Sequence, residues 1–245
     1  MHVIEFVMAC NEDESTWERL RYHLRASGVR DLSANPYRSG IHSRGYLPHV
    51  KREGAEYFVT FRLADSLPKQ LLLRLQSQKA ERLRALERAR RPERSKVATR
   101  QAIERAFVQQ VERLLDTGLG ACHLRRPEVA QLVVEALKYF DGQRYLLREW
   151  VVMPNHVHVL FWPQPGFLVG DIVKSWKQFT SMRAKRLLGL SPGRFWQPEA
   201  FDRWVRDAEH RSRIARYIWT NPVKAGLCER PEDWPWSSAH LKPGR

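Results

Sequence analysis

Apolar and polar positions alternate from Ala55 to Leu63. Tyr57, Val59, Phe61 and Leu63 fall on one side of an extended chain, and Phe58, Thr60 and Arg62 on the other. Period two in aromatic and β-branched residues predicts a strand, and Asp65-Ser66-Leu67-Pro68 ends it. The period then changes. Leu71, Leu72, Leu75, Leu83 and Leu86 recur at helical spacing, and Ile103, Phe107, Val111 and Leu114 do so again. Pro92, inside Arg88-Ala89-Arg90-Arg91-Pro92-Glu93-Arg94, lacks a backbone donor. Segment 69–117 therefore reads as two helices joined by a basic elbow. Pro127 to Phe140 carries Val129, Leu132, Val133, Ala136 and Leu137 and predicts a further amphipathic helix, closed by the turn Asp141-Gly142.

Tyr145–Val152 and His156–Trp162 read as two strands joined by Met153-Pro154-Asn155, a hairpin. Phe167–Leu188 is a long helix with Ile172, Trp176, Phe179 and Leu187 on one side. Phe195–Arg206 mixes aromatic and polar residues as an edge strand does. Ala208–Thr220 is a helix running into Asn221-Pro222, where proline disfavours helical geometry at Asn221. Ahead of the first strand, Glu12 to Ala26 predicts a short helix with Trp17, Leu20 and Leu24 together. Residues 35–54 are rich in turn formers and read as an extended arm, basic through Arg38, Arg44, Lys51 and Arg52. The aromatic, proline-rich run Pro231 to Trp236 reads as a packed loop. There is no internal repeat. The order strand, helices, strand, strand, helix, strand, helix implies few parallel crossovers. It predicts an α+β fold, an antiparallel sheet with helices packed on one face.

Composition narrows the function. The 245 residues include 42 Lys and Arg against 27 Asp and Glu, a net charge of +15. A compact chain gains nothing from self-repelling charge, whereas a polyanionic partner converts that cost into binding through counterion release. Nucleic acid is the leading partner and an anionic membrane surface the second, weakened by the lack of an obvious anchor. No 18-residue window is apolar and free of charge, and no secretory signal is visible at Met1-His2-Val3-Ile4-Glu5. Cys10, Cys122 and Cys228 are too far apart for a zinc finger and odd in number. A reducing compartment, the cytoplasm, is expected.

Two patterns carry chemistry. In Pro154-Asn155-His156-Val157-His158-Val159-Leu160 the two histidines point to the same face of a strand, about 6.6 Å apart over two rises of ~3.3 Å. They can converge on one divalent ion with a third ligand from elsewhere, or simply line a solvent-facing strand. In Arg216-Tyr217-Ile218-Trp219-Thr220-Asn221-Pro222, Tyr217 and Asn221 are four apart and share a helix face. Turned toward a metal they would supply a nucleophile and a ligand. Turned inward, the tyrosine packs on a core.

Together these residues resemble the HUH single-strand endonucleases. More specifically, the succession Glu56–Arg62, Trp150–His158, Phe195–Pro198, Phe201–Arg203, Tyr217–Gly226 and Trp234–Ser238 is similar to that of REP-associated tyrosine transposases, relatives of the IS200/IS605 transposases. The resemblance covers roughly three quarters of the chain; residues 1–34 and much of 69–125 carry no such motif. It implies a ferredoxin-like sheet in a catalytic domain at 55–241, with a basic arm at 1–54, a helical insertion at about 69–140 and a short tail at 242–245. It also implies cleavage of single-stranded DNA beside a REP hairpin. Tyr217 would attack the phosphate, leaving a 5′-phosphotyrosine and a free 3′-hydroxyl. His156 and His158 would hold Mg²⁺ or Mn²⁺, and Asn221 stands where insertion-sequence relatives carry a longer glutamine. A divalent ion suits the chemistry because it neutralises the phosphodiester and polarises its oxygen.

Strand binding needs basic grooves and rings for base stacking. Lys174, Lys177, Arg183 and Lys185 offer charge and Trp176, Trp196 and Trp204 offer rings, while Arg38, Arg44 and Lys51 could reach a hairpin stem. The alternative is a non-catalytic, domesticated protein that grips structured nucleic acid. A cytoplasmic, nucleoid-associated bacterial setting is expected, as a monomer or a homodimer.

Overall fold

The computed structural model describes residues 40–44, 47–51, 54–90 and 92–241. The expected helix at Glu12–Ala26, Arg38 and the tail 242–245 lie outside them. Gly40–Arg44 (β1) and Leu47–Lys51 (β2) pair antiparallel, with Ile41 opposite Val50. The stretch expected as an extended arm is thus a hairpin in this part, which satisfies backbone groups that a lone extended segment leaves unpaired. Arg44 and Lys51 lie on its two strands.

The principal sheet is built from Tyr57–Arg62 (β3), Tyr145–Val152 (β4), His156–Pro163 (β5) and Phe201–Trp204 (β6). All neighbours are antiparallel, in the order β4-β5-β3-β6. The helices are Lys69–Arg88 (α1), Glu93–Asp116 (α2), Pro127–Tyr139 (α3), Val169–Leu188 (α4) and Ala208–Lys224 (α5). Strand, helix, strand, strand, helix, strand in this spatial order is the ferredoxin-like arrangement. Among the described residues no helix is long and apolar enough to cross a membrane.

Strand alternation sorts the core into two layers. Tyr57, Val59, Phe61, Trp150, Val152, Val157, Val159 and Phe161 face α3 and α4 and form the larger cluster with Leu132, Val133, Leu137, Ile172 and Trp176. Each such side chain contributes about 1.5–3 kcal/mol on burial. Tyr145 anchors this layer: its hydroxyl donates to the Leu137 carbonyl at 2.9 Å and accepts from Trp176 Nε1 at 2.8 Å. The other face holds Phe58, Val151, Met153 and Leu160, capped by Ile214 and Ile218 of α5. Two helices therefore share one face as expected, and α5 covers part of the other. The apolar run Val159–Phe161 has this cause, being buried on both sides.

Pro92 precedes α2 and separates it from α1. The two helices pack on each other, with Leu75, Leu86, Phe107 and Leu115 buried and Lys79 paired to Glu104 at 2.9 Å. Within the segment expected as an insertion, α3 belongs to the main core. α1 and α2 stand as a pair packed on each other.

Candidate active site

Period two on β5 puts His156 and His158 on the α5 side of the sheet, with Arg62 and Thr60 opposite them on β3. They do not line a solvent-facing strand: they are 1% and 0% exposed. Each ring is oriented through its far nitrogen. His156 Nδ1 donates to Asn155 Oδ1 at 2.7 Å, and His158 Nδ1 contacts Thr60 Oγ1 at 2.8 Å. Asn155 is itself fixed, because its Nδ2 donates to the Leu119 carbonyl at 2.9 Å. That bond leaves Oδ1 to accept from His156, and so frees the Nε2 lone pair of His156. The two Nε2 atoms then stand 3.0 Å apart. Burial drives the His156 pKa down to about 3, with the Arg62 charge acting in the same direction. Burial, then His156 and Arg203, hold His158 well below the ordinary imidazole value.

α5 begins at Asp207, whose Oδ1 accepts from the His210 N–H at 2.6 Å. It continues through Pro222 and stops at Gly226, whose φ is +67°. The expected loss of helical geometry at Asn221 does not occur. Pro222 sits in the last turn, where the Leu227 N–H still reaches its carbonyl at 2.9 Å. Tyr217 and Asn221 consequently share a face, and that face meets the histidines. The Tyr217 ring lies edge-on to His158 at 5.2 Å between centroids, and Asn221 Nδ2 is 3.5 Å from His158 Nε2. Phe58 stacks under His158 at 5.4 Å and props the tyrosine ring edge-on at 6.0 Å.

Three further groups enter that the spacing of single motifs did not single out. Glu112 and Asp116, one turn apart on α2, reach in beside Tyr217 and His156. Asp116 Oδ1 is 3.8 Å from His156 Nε2. Arg203 of β6 lies over the Phe58 ring at 4.9 Å. Burial raises both carboxyls to about 6, against the pull of Arg203 on Glu112 and of Lys224 on Asp116. Burial also lowers Arg203. Tyr217 is pushed far above the ordinary phenol by burial, then by the charges of Glu112 and Asp116. Among the described residues, five buried side-chain atoms lack a hydrogen-bond partner: Glu112 Oε1, Asp116 Oδ1, Arg203 Nε, Tyr217 Oη and Asn221 Oδ1. All five are at this site. Buried polar atoms normally find partners, so such a concentration is that of a site built for a bound group. Arg203 had a cue in its motif Phe201-Asp202-Arg203; Glu112 and Asp116 had none, since an i, i+4 acid pair on a charged helix reads as solvated surface.

The donor set fits a divalent ion. Ligands about 2.1 Å from an octahedral ion stand about 3.0 Å from their neighbours, and 3.0 Å separates the two Nε2 atoms. The orphaned Asn221 oxygen is an amide rotation away. As the side chains stand, no three His, Cys, Asp or Glu among the described residues close around one point.

The basic residues singled out on α4 lie elsewhere. α4 packs on the opposite face of the sheet. Lys174 and Lys177 line a groove of about 470 Å³ there, between α4 and residues 193–200. Lys177 is committed to the carbonyls of Gln197 and Pro198, and burial lowers its pKa to about 8. Arg183 lies over Phe179 at 4.3 Å, and Lys185 is in the last turn of α4. Trp176 and Trp196 are core residues, bonded to Tyr145 Oη and Thr180 Oγ1.

The family described as transposase IS200 like matches residues 127–221, from the start of α3 to Asn221. The chain is similar to the REP-associated tyrosine transposase of Escherichia coli K12, 32% identical over 108 residues, covering 42% of this chain and 60% of that protein. The match thus spans about three fifths of the length of the relative. A solved structure described as a REP-associated tyrosine transposase bound to a REP hairpin aligns over 82% of both chains, with 19% identity and a TM-score of 0.44.

Proposed function

We propose that this protein is a metal-dependent enzyme that cuts and rejoins single-stranded DNA beside a REP-like hairpin, with Tyr217 as nucleophile. The observation that carries this reading is the meeting of a lone phenol, two Nε2 atoms 3.0 Å apart and an orphaned amide oxygen in one buried pocket. His156, His158 and Asn221 would hold Mg²⁺ or Mn²⁺, which when bound neutralises the phosphate and polarises its oxygen.

The chain's own groups account for the rest. Tyr217 Oη attacks phosphorus, the bond to the 3′ oxygen breaks, and a 5′-phosphotyrosine and a free 3′-hydroxyl result. Glu112, facing the phenol, is the base for its proton, and the departing 3′ oxygen takes a proton from solvent. Arg203, over Phe58, supplies fixed positive charge near the phosphoryl group. Covalent storage of the phosphodiester lets the strand be joined to another end without a nucleotide cofactor.

The test is a denaturing gel of the protein with labelled single-stranded DNA from repeats flanking its gene. With Mn²⁺ or Mg²⁺ a covalent adduct is expected. Tyr217→Phe should abolish the adduct and keep hairpin binding. An adduct that survives in the phenylalanine variant rules out this nucleophile. Binding without an adduct under either metal supports the non-catalytic alternative.

A further inference from the structure

Asp116 is the last residue of α2, and a carboxylate at a helix C-terminus faces the negative end of the helix dipole. Its Oδ1 is buried and without a partner, 3.8 Å from His156 Nε2. The chain nevertheless holds it there firmly. Just beyond it, the Leu119 carbonyl accepts from Asn155 Nδ2, and the Leu124 N–H donates to the Pro154 carbonyl at 3.1 Å. The Ala121 N–H donates to Asp65 Oδ2 at 2.7 Å. The end of α2 is thereby tied to the turn that carries the histidines. Asn221, 1% exposed, supplies an independent unpartnered oxygen beside the same histidines.

We infer that Asp116, at the end of α2, is an anionic ligand of the divalent cation held by His156 and His158. This rests on the metal-dependent reading above and adds a donor to it. Around an octahedral ion with bonds of about 2.1 Å, ligand atoms are about 3.0 Å apart when adjacent and about 4.2 Å when opposite. The 3.8 Å between Asp116 Oδ1 and His156 Nε2 lies between these separations, so a side-chain rotation suffices. A cation there removes both faults of the position: the unpartnered oxygen and the charge opposed to the helix dipole. It also means that α2 is part of the catalytic domain's chemistry. The competing role is a structural ion pair with Lys224, the cation whose charge acts on Asp116.

Mn²⁺ binding to the full-length protein without DNA, followed by the electron paramagnetic resonance signal of free Mn²⁺, separates these cases. Asp116→Asn is expected to weaken binding roughly tenfold or more, the scale of losses at metal sites, and His156→Ala to abolish it. Asp116→Cys is expected to exchange the preference, binding Cd²⁺ more tightly than the parent protein while losing Mn²⁺. A variant that had merely lost its fold would bind neither ion. If Asp116→Asn and Asp116→Cys bind Mn²⁺ as the parent does while His156→Ala does not, the inference fails and the histidine site stands. If the parent binds no better than His156→Ala, the metal reading itself fails.

Discussion

Asn155 contributes no atom to the meeting point of the imidazoles, yet it decides what His156 can do there. Its Nδ2 is used by the Leu119 carbonyl, so its Oδ1 must accept, and His156 must carry its proton on Nδ1. Removing an orienting partner of this kind typically costs 10–100-fold in metal affinity. Asn155→Ala should therefore weaken Mn²⁺ binding by at least tenfold in calorimetric titration, with the circular dichroism of the fold unchanged. Thr60 Oγ1 meets His158 Nδ1 from β3 at 2.8 Å and orients that ring. At this scale the chain was partly legible. The pairing of His156 with His158 follows from strand periodicity, and that of Tyr217 with Asn221 from helix periodicity. The roles of Asn155 and Thr60 were not, because each is defined by a neighbour chosen in three dimensions.

Helix α2 reads in the sequence as a helix with Ile103, Phe107, Val111 and Leu114 at helical spacing, and nothing in that pattern singles out its last turn. Its last turn differs because the following loop doubles back onto the β4–β5 turn. Gly120 is central to that course: its φ is +88°, and a Cβ there would meet the Asp65 carbonyl oxygen at 2.6 Å. That oxygen is backbone and cannot swing aside. Gly120→Ala should destabilise the fold by about 1–3 kcal/mol, the usual range for a residue forced into such a conformation, as read by urea denaturation. Because the loop carries Leu119 and follows Asp116, the same variant should also lose Mn²⁺ affinity. A stable variant with parental affinity would mean that the loop does not position α2. The helix α5 shows the opposite difference. Pro222 reads as a break after Thr220, but its missing N–H forfeits one helical hydrogen bond, and packing of Ile214 and Ile218 on the sheet outweighs that loss.

Across the whole molecule, the +15 charge is the property most directly exposed to test. If the partner is single-stranded DNA, log Kd should rise with log salt by about 0.7 per phosphate neutralised. Fluorescence anisotropy between 50 and 200 mM salt should then give a slope of magnitude about 3 or more for four or five contacts. An affinity indifferent to salt would remove the polyanion from the account. Which cations make those contacts was poorly legible. Lys174, Lys177, Arg183 and Lys185 look alike along α4, whereas in the fold they lie across the sheet from Tyr217, and Lys177 is consumed by two carbonyls. The sequence by itself determined the period of each element, hence which residues share a face, the order of strands and helices, and the identity of the histidine and tyrosine pairs. Only the tertiary structure decided that α5 covers the histidine face, that Arg203 and the α2 carboxylates join it, and that the α4 lysines do not. Periodicity is a property of neighbours along the chain, while a site drawing on residues 60, 116, 156, 203 and 217 depends on distances that packing alone creates.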